Sequence, residues 1–261
     1  MSHDVSLAER LGAADAADRV AAIAALVEQG RADADELDAL ADCLGHDRKA
    51  VQRPAAEAFA ALGARGVPVA VVLDRALGSA VPRRRWGAAF ALSLMGAPPA
   101  RILPVVLDTL GADDGDMRWA AAAIVRRMRD RAGVIDGIRQ LLRDGNGAQR
   151  KMALYCLRDL DARSPDVEQA VVAALGDVEW SVRLAAVATL ARLATDRARA
   201  AEHLLASLDA GDERVRRAAA AALGVLGEQS PRILAGLRDA SAAGDPALTR
   251  AAAAALRQLG G

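Results

Sequence analysis

Side chains able to do chemistry are few in this sequence. The histidines are His3, His46 and His203, and the cysteines are Cys43 and Cys156. Cys43-x-x-His46, followed by Asp47, has the spacing of half a metal site, but no second Cys/His pair follows to close it. That leaves a turn histidine and a core cysteine. Asp113–Asp116 (DDGD) and Asp144–Gly147 (DGNG) cluster carboxylates at turns, yet neither runs into a calcium loop closed by its glutamate. No phosphate-cradling glycine loop and no nucleophile motif occurs. The expectation is therefore no catalytic residue, no metal set and no cofactor. Recognition chemistry remains. Of six aromatic residues, five fall between 86 and 180: Trp86, Phe90, Trp119, Tyr155 and Trp180. Of 34 basic residues, only Lys49 and Lys151 are lysine. Exposed rings with arginine at the rim build protein-recognition hot spots, and they also suit stacking on bases or on an apolar ligand.

The elements that must hold these residues follow from an internal repeat of about 33 residues. Taking Arg183 and Arg216 as position zero, the register reads Arg19, Gln52, Arg85, Arg118, Arg150, Arg183, Arg216 and Thr249. Position +3 is Ala22, Ala55, Ala88, Ala121, Ala153, Ala186, Ala219 and Ala252, alanine in all eight. Position +7 is Leu26, Phe59, Leu92, Val125, Leu157, Leu190, Leu223 and Leu256. Position +10 is apolar except at Gln29, and Gly30, Gly63, Gly96, Gly227 and Gly260 follow it, where a helix end favours a left-handed residue. Columns −1, +3, +7 and +10 share one stripe of a helix. Alanine at +3 lets two helix backbones approach closely. Second apolar segments such as Val67–Leu77, Ala100–Leu110 and Pro165–Leu175 lie between. Each repeat thus reads as a helix–turn–helix hairpin, with repeats near 4–30, 31–63, 64–96, 97–129, 130–161, 162–194, 195–227 and 228–261 in a single domain. One hairpin cannot offset the entropy of ordering itself at about 1–2 kcal/mol per residue. Neighbours must stack, which predicts an all-α, right-handed α-solenoid.

Repeat position then orients the recognition residues. Trp86 and Trp119 fall at +1, and Phe90 and Tyr155 at +5, roughly opposite the core stripe. Lys151 and Arg53 share +1, and Arg126 and Arg158 lie at +8 on the same face. The expected partner-binding patch is therefore Trp86, Phe90, Trp119, Tyr155, Arg53, Arg126, Lys151 and Arg158. The alternative is that the rings lie sideways and fill gaps between alanine-rich helices. The +5 column elsewhere is small, at Ala24, Ala123, Ala188, Ala221 and Ala254, which leaves a groove for an amphipathic helix or an apolar molecule. Asp15, Asp114, Glu179 and Asp212 stand four residues before Arg19, Arg118, Arg183 and Arg216, the favourable order for a helix ion pair.

The pattern acid-x-x-x-Arg-x-x-Ala-x-x-x-Leu-x-x-Leu-Gly reads cleanly at Asp212–Gly227, and with substitutions at Glu179–Ala194, Asp114–Arg129 and Asp245–Gly260. It is weaker at Arg48–Gly63 and in the third repeat, where Val81 replaces the acid. It resembles the HEAT repeat family, most closely the HEAT-like repeats of phycobilin lyases. The resemblance covers nearly the whole chain and implies that the second helix of each hairpin lines a concave surface. It also implies that the position-zero residues Arg19, Arg85, Arg118, Arg150, Arg183 and Arg216 form a structural ladder between repeats. The di-iron hydroxylases built on such repeats carry several His–Glu dyads. Here there is one, reversed, at Glu202–His203, so that activity is not expected.

Composition bounds the rest. The chain has 261 residues, 65 of them alanine, and 34 basic against 34 acidic residues. Alanine favours helix and the scarcity of aromatics disfavours sheet. Residues 1–45 hold ten acids and three bases, a net of −7, so the remainder is +7. Zero net charge disfavours a protein that coats nucleic acid by charge. Two cysteines suit a reducing compartment; no signal peptide or membrane span is read, and the expected location is cytoplasmic. The favoured function is a non-enzymatic scaffold that binds a partner protein or peptide on the concave face. The alternatives are nucleic-acid binding, by resemblance to DNA-alkylation-repeat proteins, and a bilin-lyase-like or apolar small-molecule binder.

Overall fold

The computed structural model describes residues 6–128 and 131–260. The expected repeat start at Asp4, the boundary near 129–130 and His3 lie outside the described residues. The fold is all-α, a solenoid of helical repeats, with no strand among the described residues.

Two compact units are present, one of Met1–Thr109 with Arg127–Asp130 and one of Leu110–Arg126 with Arg131–Gly261. In unit one the first helices of the hairpins are α1 (Leu7–Leu11), α3 (Ala34–Cys43), α5 (Ala70–Leu77) and α7 (Pro99–Thr109). The second helices are α2 (Ala16–Gln29), α4 (Lys49–Ala64) and α6 (Pro82–Leu94). Unit two holds α8 (Gly115–Arg127), then α9 (Arg131–Asp144) with α10 (Gly147–Asp159), and α11 (Pro165–Ala174) with α12 (Trp180–Leu193). It ends with α13 (Arg197–Ala206) and α14 (Glu213–Leu226), then α15 (Pro231–Ala242) and α16 (Pro246–Gln258). Successive second helices pack on one another: α2 on α4 and α4 on α6 in unit one, and α10 on α12, α12 on α14 and α14 on α16 in unit two.

The sequence signals act locally as expected. Asp15, Asp212 and Asp245 cap α2, α14 and α16 by accepting backbone N–H groups of the first turn, which would otherwise lack partners. Asn146 and Gln149 form a reciprocal capping box on α10, so the DGNG turn is a helix start. All eight +3 alanines are 0% exposed. Close approach is visible at Gly224 of α14, where an added Cβ would lie 2.9 Å from the Ala255 Cα of α16. Met95 departs from its column: it ends α6 and is exposed, whereas Leu62, Leu160, Leu193, Leu226 and Leu259 at the same position are buried.

Candidate functional site

The position-zero arginines turn back on their own hairpins. Arg85 Nη1 donates to the Ser79 carbonyl (2.9 Å), Arg150 Nη1 to Gly145 (2.8 Å), Arg183 Nη1 to Asp177 (2.7 Å) and Arg216 Nη1 to Ala210 (2.9 Å). Arg19 and Arg118 reach the carbonyls of Ala13 and Ala112 in the same way. Each thus ties down a carbonyl five or six residues upstream, in the turn between the paired helices. The acids four residues before them are occupied elsewhere: Asp15, Asp114 and Asp212 accept N–H groups at the start of their own helices.

Four of these arginines also reach the following repeat, Arg19 through a 3.9 Å contact from Nη1 to the Cys43 sulfur. Arg150 makes a two-pronged bond to Asp177, at 2.6 and 2.8 Å, with both side chains mostly buried. Arg216 stands 3.7 Å from Asp245, and Arg85 3.3 Å from Asp108. Burial alone would raise the Asp177 carboxyl, but the Arg150 hydrogen bond, the Glu179 N–H and the charges of Arg150 and Arg183 hold it below the usual range. Gln52 takes the arginine's place in the second repeat and does both tasks without charge. Its Nε2 donates to the Leu44 carbonyl (2.8 Å) and to the Arg83 carbonyl of the next repeat (3.2 Å).

The aromatic residues form two separate pairs. In unit one Trp86 stacks on Phe90, with ring centroids 5.9 Å apart. Trp86 is only 5% exposed, which corrects the expectation that it stands out from the helix face. Its helix packs on α3, α4, α5 and α7. Phe90 is half-buried, and Arg53 is exposed and bonded to Glu57 one turn on, at 3.2 Å.

In unit two Trp119 of α8 stacks on Tyr155 of α10, centroids 5.8 Å apart and planes 8° from parallel. The Arg158 guanidinium lies 5.1 Å from the other ring's centre, Tyr155, extending the stack with a cation. Trp119 is 54% exposed. Arg126 is exposed, and Lys151 is half-buried. The +5 column behaves as the helical wheel predicts: Ala24, Phe90, Ala123, Tyr155, Ala188, Ala221 and Ala254 are all exposed or half-buried.

Two features escaped sequence reading. Arg214 of α14 sits over the Trp180 ring of α12 at 4.1 Å. The second is a set of arginines, Arg163, Arg192 and Arg197, lining a cavity of about 540 Å³ between α12 and α14; the cavity itself lies where the small +5 residues Ala188 and Ala221 led us to expect a groove. Residues far apart in sequence build both, so neither leaves a local signal.

Cys43 and His46 do not form a metal centre with neighbours. The Cys43 thiol is buried and donates to the Leu11 carbonyl, and the His46 Nδ1 accepts from the Arg48 N–H. Burial pushes the Cys156 thiol up to about 12. Among the described residues, no group of three or more His, Cys, Asp or Glu side chains is placed to hold a metal ion. No described helix is long and apolar enough to cross a membrane.

Comparison with known proteins supports the fold. Residues 135–224 match the family model described as HEAT repeats. No curated protein matches the chain by sequence. Among solved structures, Kap95p, from work on its binding to RanGDP, overlays with a TM-score of 0.62 at 12% identity, covering 97% of this chain and 40% of Kap95p. Importin beta gives 0.58 at 16% identity, with 97% and 40% covered, so the chain spans less than half of either protein. YibA of E. coli gives 0.55 at 19% identity, covering 99% of this chain and 92% of YibA. The chain therefore matches the HEAT-repeat model at residues 135–224, within an α-solenoid of helical hairpins.

Proposed function

We propose that this protein is a non-catalytic scaffold that docks a partner protein or peptide on the face lined by its second helices, centred on Trp119, Tyr155 and Arg158. The observation that carries this reading is the stack itself. An indole more than half exposed stacks on Tyr155, whose ring also meets the Arg158 guanidinium of the same helix. A stacked ring loses little conformational freedom on binding, and Trp, Tyr and Arg are the residues that dominate interface energetics. Lys151 and Arg126 supply a cationic flank on the same unit. Kap95p, of similar fold, binds RanGDP, which agrees with a protein-docking role for this architecture. The +5 alanines of α12 and α14 interrupt any basic strip on unit two, so a duplex nucleic acid finds less to bind there than a protein does.

The test is a purified partner, identified by cross-linking to the intact chain, titrated against Trp119→Ala and Arg158→Ala. A central tryptophan is expected to contribute about 2 kcal/mol or more, roughly 30-fold in Kd. An affinity unchanged by both substitutions sinks the reading. Loss of single-stranded nucleic acid or of a coloured or lipid ligand from Trp119→Ala, with partner binding intact, would replace it.

A further inference from the structure

The cavity between α12 and α14 has walls of one kind and a rim of another. Val187, Ala188 and Ala191 of α12 face Ala218, Ala221 and Val225 of α14 across about 540 Å³. Arg163, Arg192 and Arg197 reach its edge from three segments: the loop after α10, the last turn of α12 and the start of α13. Among the described residues, neither Arg192 nor Arg197 has an ion-pair partner, and both are exposed. Asp196, the nearest carboxylate in sequence, is committed to capping α13 by accepting the Arg199 N–H at 3.1 Å.

Asp161 stands beside this edge, just after α10. It occupies the column that carries glycine in five of the eight repeats. Gly30, Gly96, Gly227 and Gly260 there have φ of 71°, 73°, 79° and 78°, and Asp161 keeps the same left-handed backbone at 50°. Among the described residues it is the non-glycine residue with positive φ. Aspartate is among the few non-glycine residues that tolerate this backbone, and here its side chain also has a partner. Its carboxylate accepts from Arg163 Nε at 3.1 Å, and the Arg163 bond, with the charges of Arg163 and Arg192, holds it below the usual carboxylate range. Asp161 thereby fixes Arg163 at the rim; its charge also acts on Arg192, but among the described residues neither Arg192 nor Arg197 is in an ion pair. Cations near helix C-termini complement the dipole, which makes arginine tolerable here but does not call for Asp161.

We propose that this groove binds an acidic peptide segment of a partner protein, with apolar side chains on the alanine walls and a carboxylate on Arg192 and Arg197. This rests on the reading of the chain as a peptide-docking scaffold and supplies the chemistry of one partner. Guanidinium forks bind carboxylates in two-pronged fashion, and shallow apolar walls admit a side chain without rearrangement. The groove belongs to the same run of second helices as the aromatic stack, but it uses different residues.

A phage-displayed library of random short peptides, selected on the intact protein, tests this. Enrichment of peptides that place Asp or Glu beside apolar residues is expected. A synthetic copy of the most enriched peptide should bind the Arg192→Glu/Arg197→Glu variant at least about tenfold more weakly. Both arginines are exposed, so the variant should keep its melting temperature; Arg192→Lys/Arg197→Lys, which keeps the charge but loses the forks, should recover only part of the affinity. Enriched peptides that bind the glutamate variant as well as wild type, but lose binding to Trp119→Ala, overturn the groove while leaving the docking face intact. No enrichment on wild type overturns both. A concentration-dependent dimer that the glutamate variant dissolves assigns the groove to a second copy and also overturns the proposal.

Discussion

The two tryptophans at +1 meet opposite fates. Trp86 and Phe90 lie one turn apart on the same helix, and the indole is buried within unit one. Trp119 and Tyr155 come from different helices, α8 and α10, and the indole of unit two stands in solvent. The same position in the repeat thus serves packing in one place and a candidate contact surface in the other. A helical wheel assigns a face, but the neighbouring helix decides whether that face is free.

The sharpest way to break this contrast is to delete both rings. Trp86→Ala should destabilise by about 3–5 kcal/mol, the range for a buried aromatic. Trp119→Ala removes an exposed ring and one stacking contact, about 0.5–1.5 kcal/mol. Calorimetry on the two variants, with peptide-level hydrogen exchange to place the loss in unit one or unit two, measures the difference. Equal shifts in melting temperature would mean that Trp119 is as structural as Trp86, and the docking reading would lose its centre.

The alanine column is the control, because it is the same in both units. Ala55→Leu in unit one and Ala186→Leu in unit two each force extra carbons into a site with no exposure. Each is expected to cost about 1–3 kcal/mol by overpacking. Exchange protection should fall around the substituted helix in each case. An unchanged melting temperature for either would show that close helix approach is not what this column serves.

These outcomes parallel what could be read in advance. The hairpins and the alanine column were legible because a repeat prints the same constraint at a fixed spacing. Arg150 was legible as structural, but its partners were not. The acid four residues before an arginine suggested a local pair, whereas the structure sends Asp15, Asp114 and Asp212 to cap helices and the arginines to turn carbonyls. A carboxylate at a helix start meets several free N–H groups, and the turn presents carbonyls that need a donor. Trp86 could not be told from Trp119, because burial depends on what the neighbouring helices present to α6. Asp161 was visible as a break in the glycine column, yet Arg163, Arg192 and Arg197 meet only once three segments are folded together.

The smallest effect separates the units by pH. Gln52 in unit one and Arg150 in unit two occupy the same repeat position and both reach the next repeat. Gln52 does so with neutral hydrogen bonds, so its contribution does not titrate. Arg150 does so through Asp177, whose carboxyl is held below its ordinary value. A carboxylate with a lowered folded-state pKa contributes stability that is fully present above its unfolded value of about 3.9, and that contribution is lost as pH falls through the folded value. Asp177→Asn should therefore destabilise unit two by about 1 kcal/mol at neutral pH and by less below pH about 4, so the melting curves of variant and wild type converge in acid. Gln52→Ala should leave unit one weakened by a similar amount at every pH, because the Leu44 and Arg83 carbonyls lose the same donor throughout. If the Gln52→Ala loss titrated like that of Asp177→Asn, the two links would share a charge that the geometry does not show. The contrast between a charged and a neutral bridge would then fail.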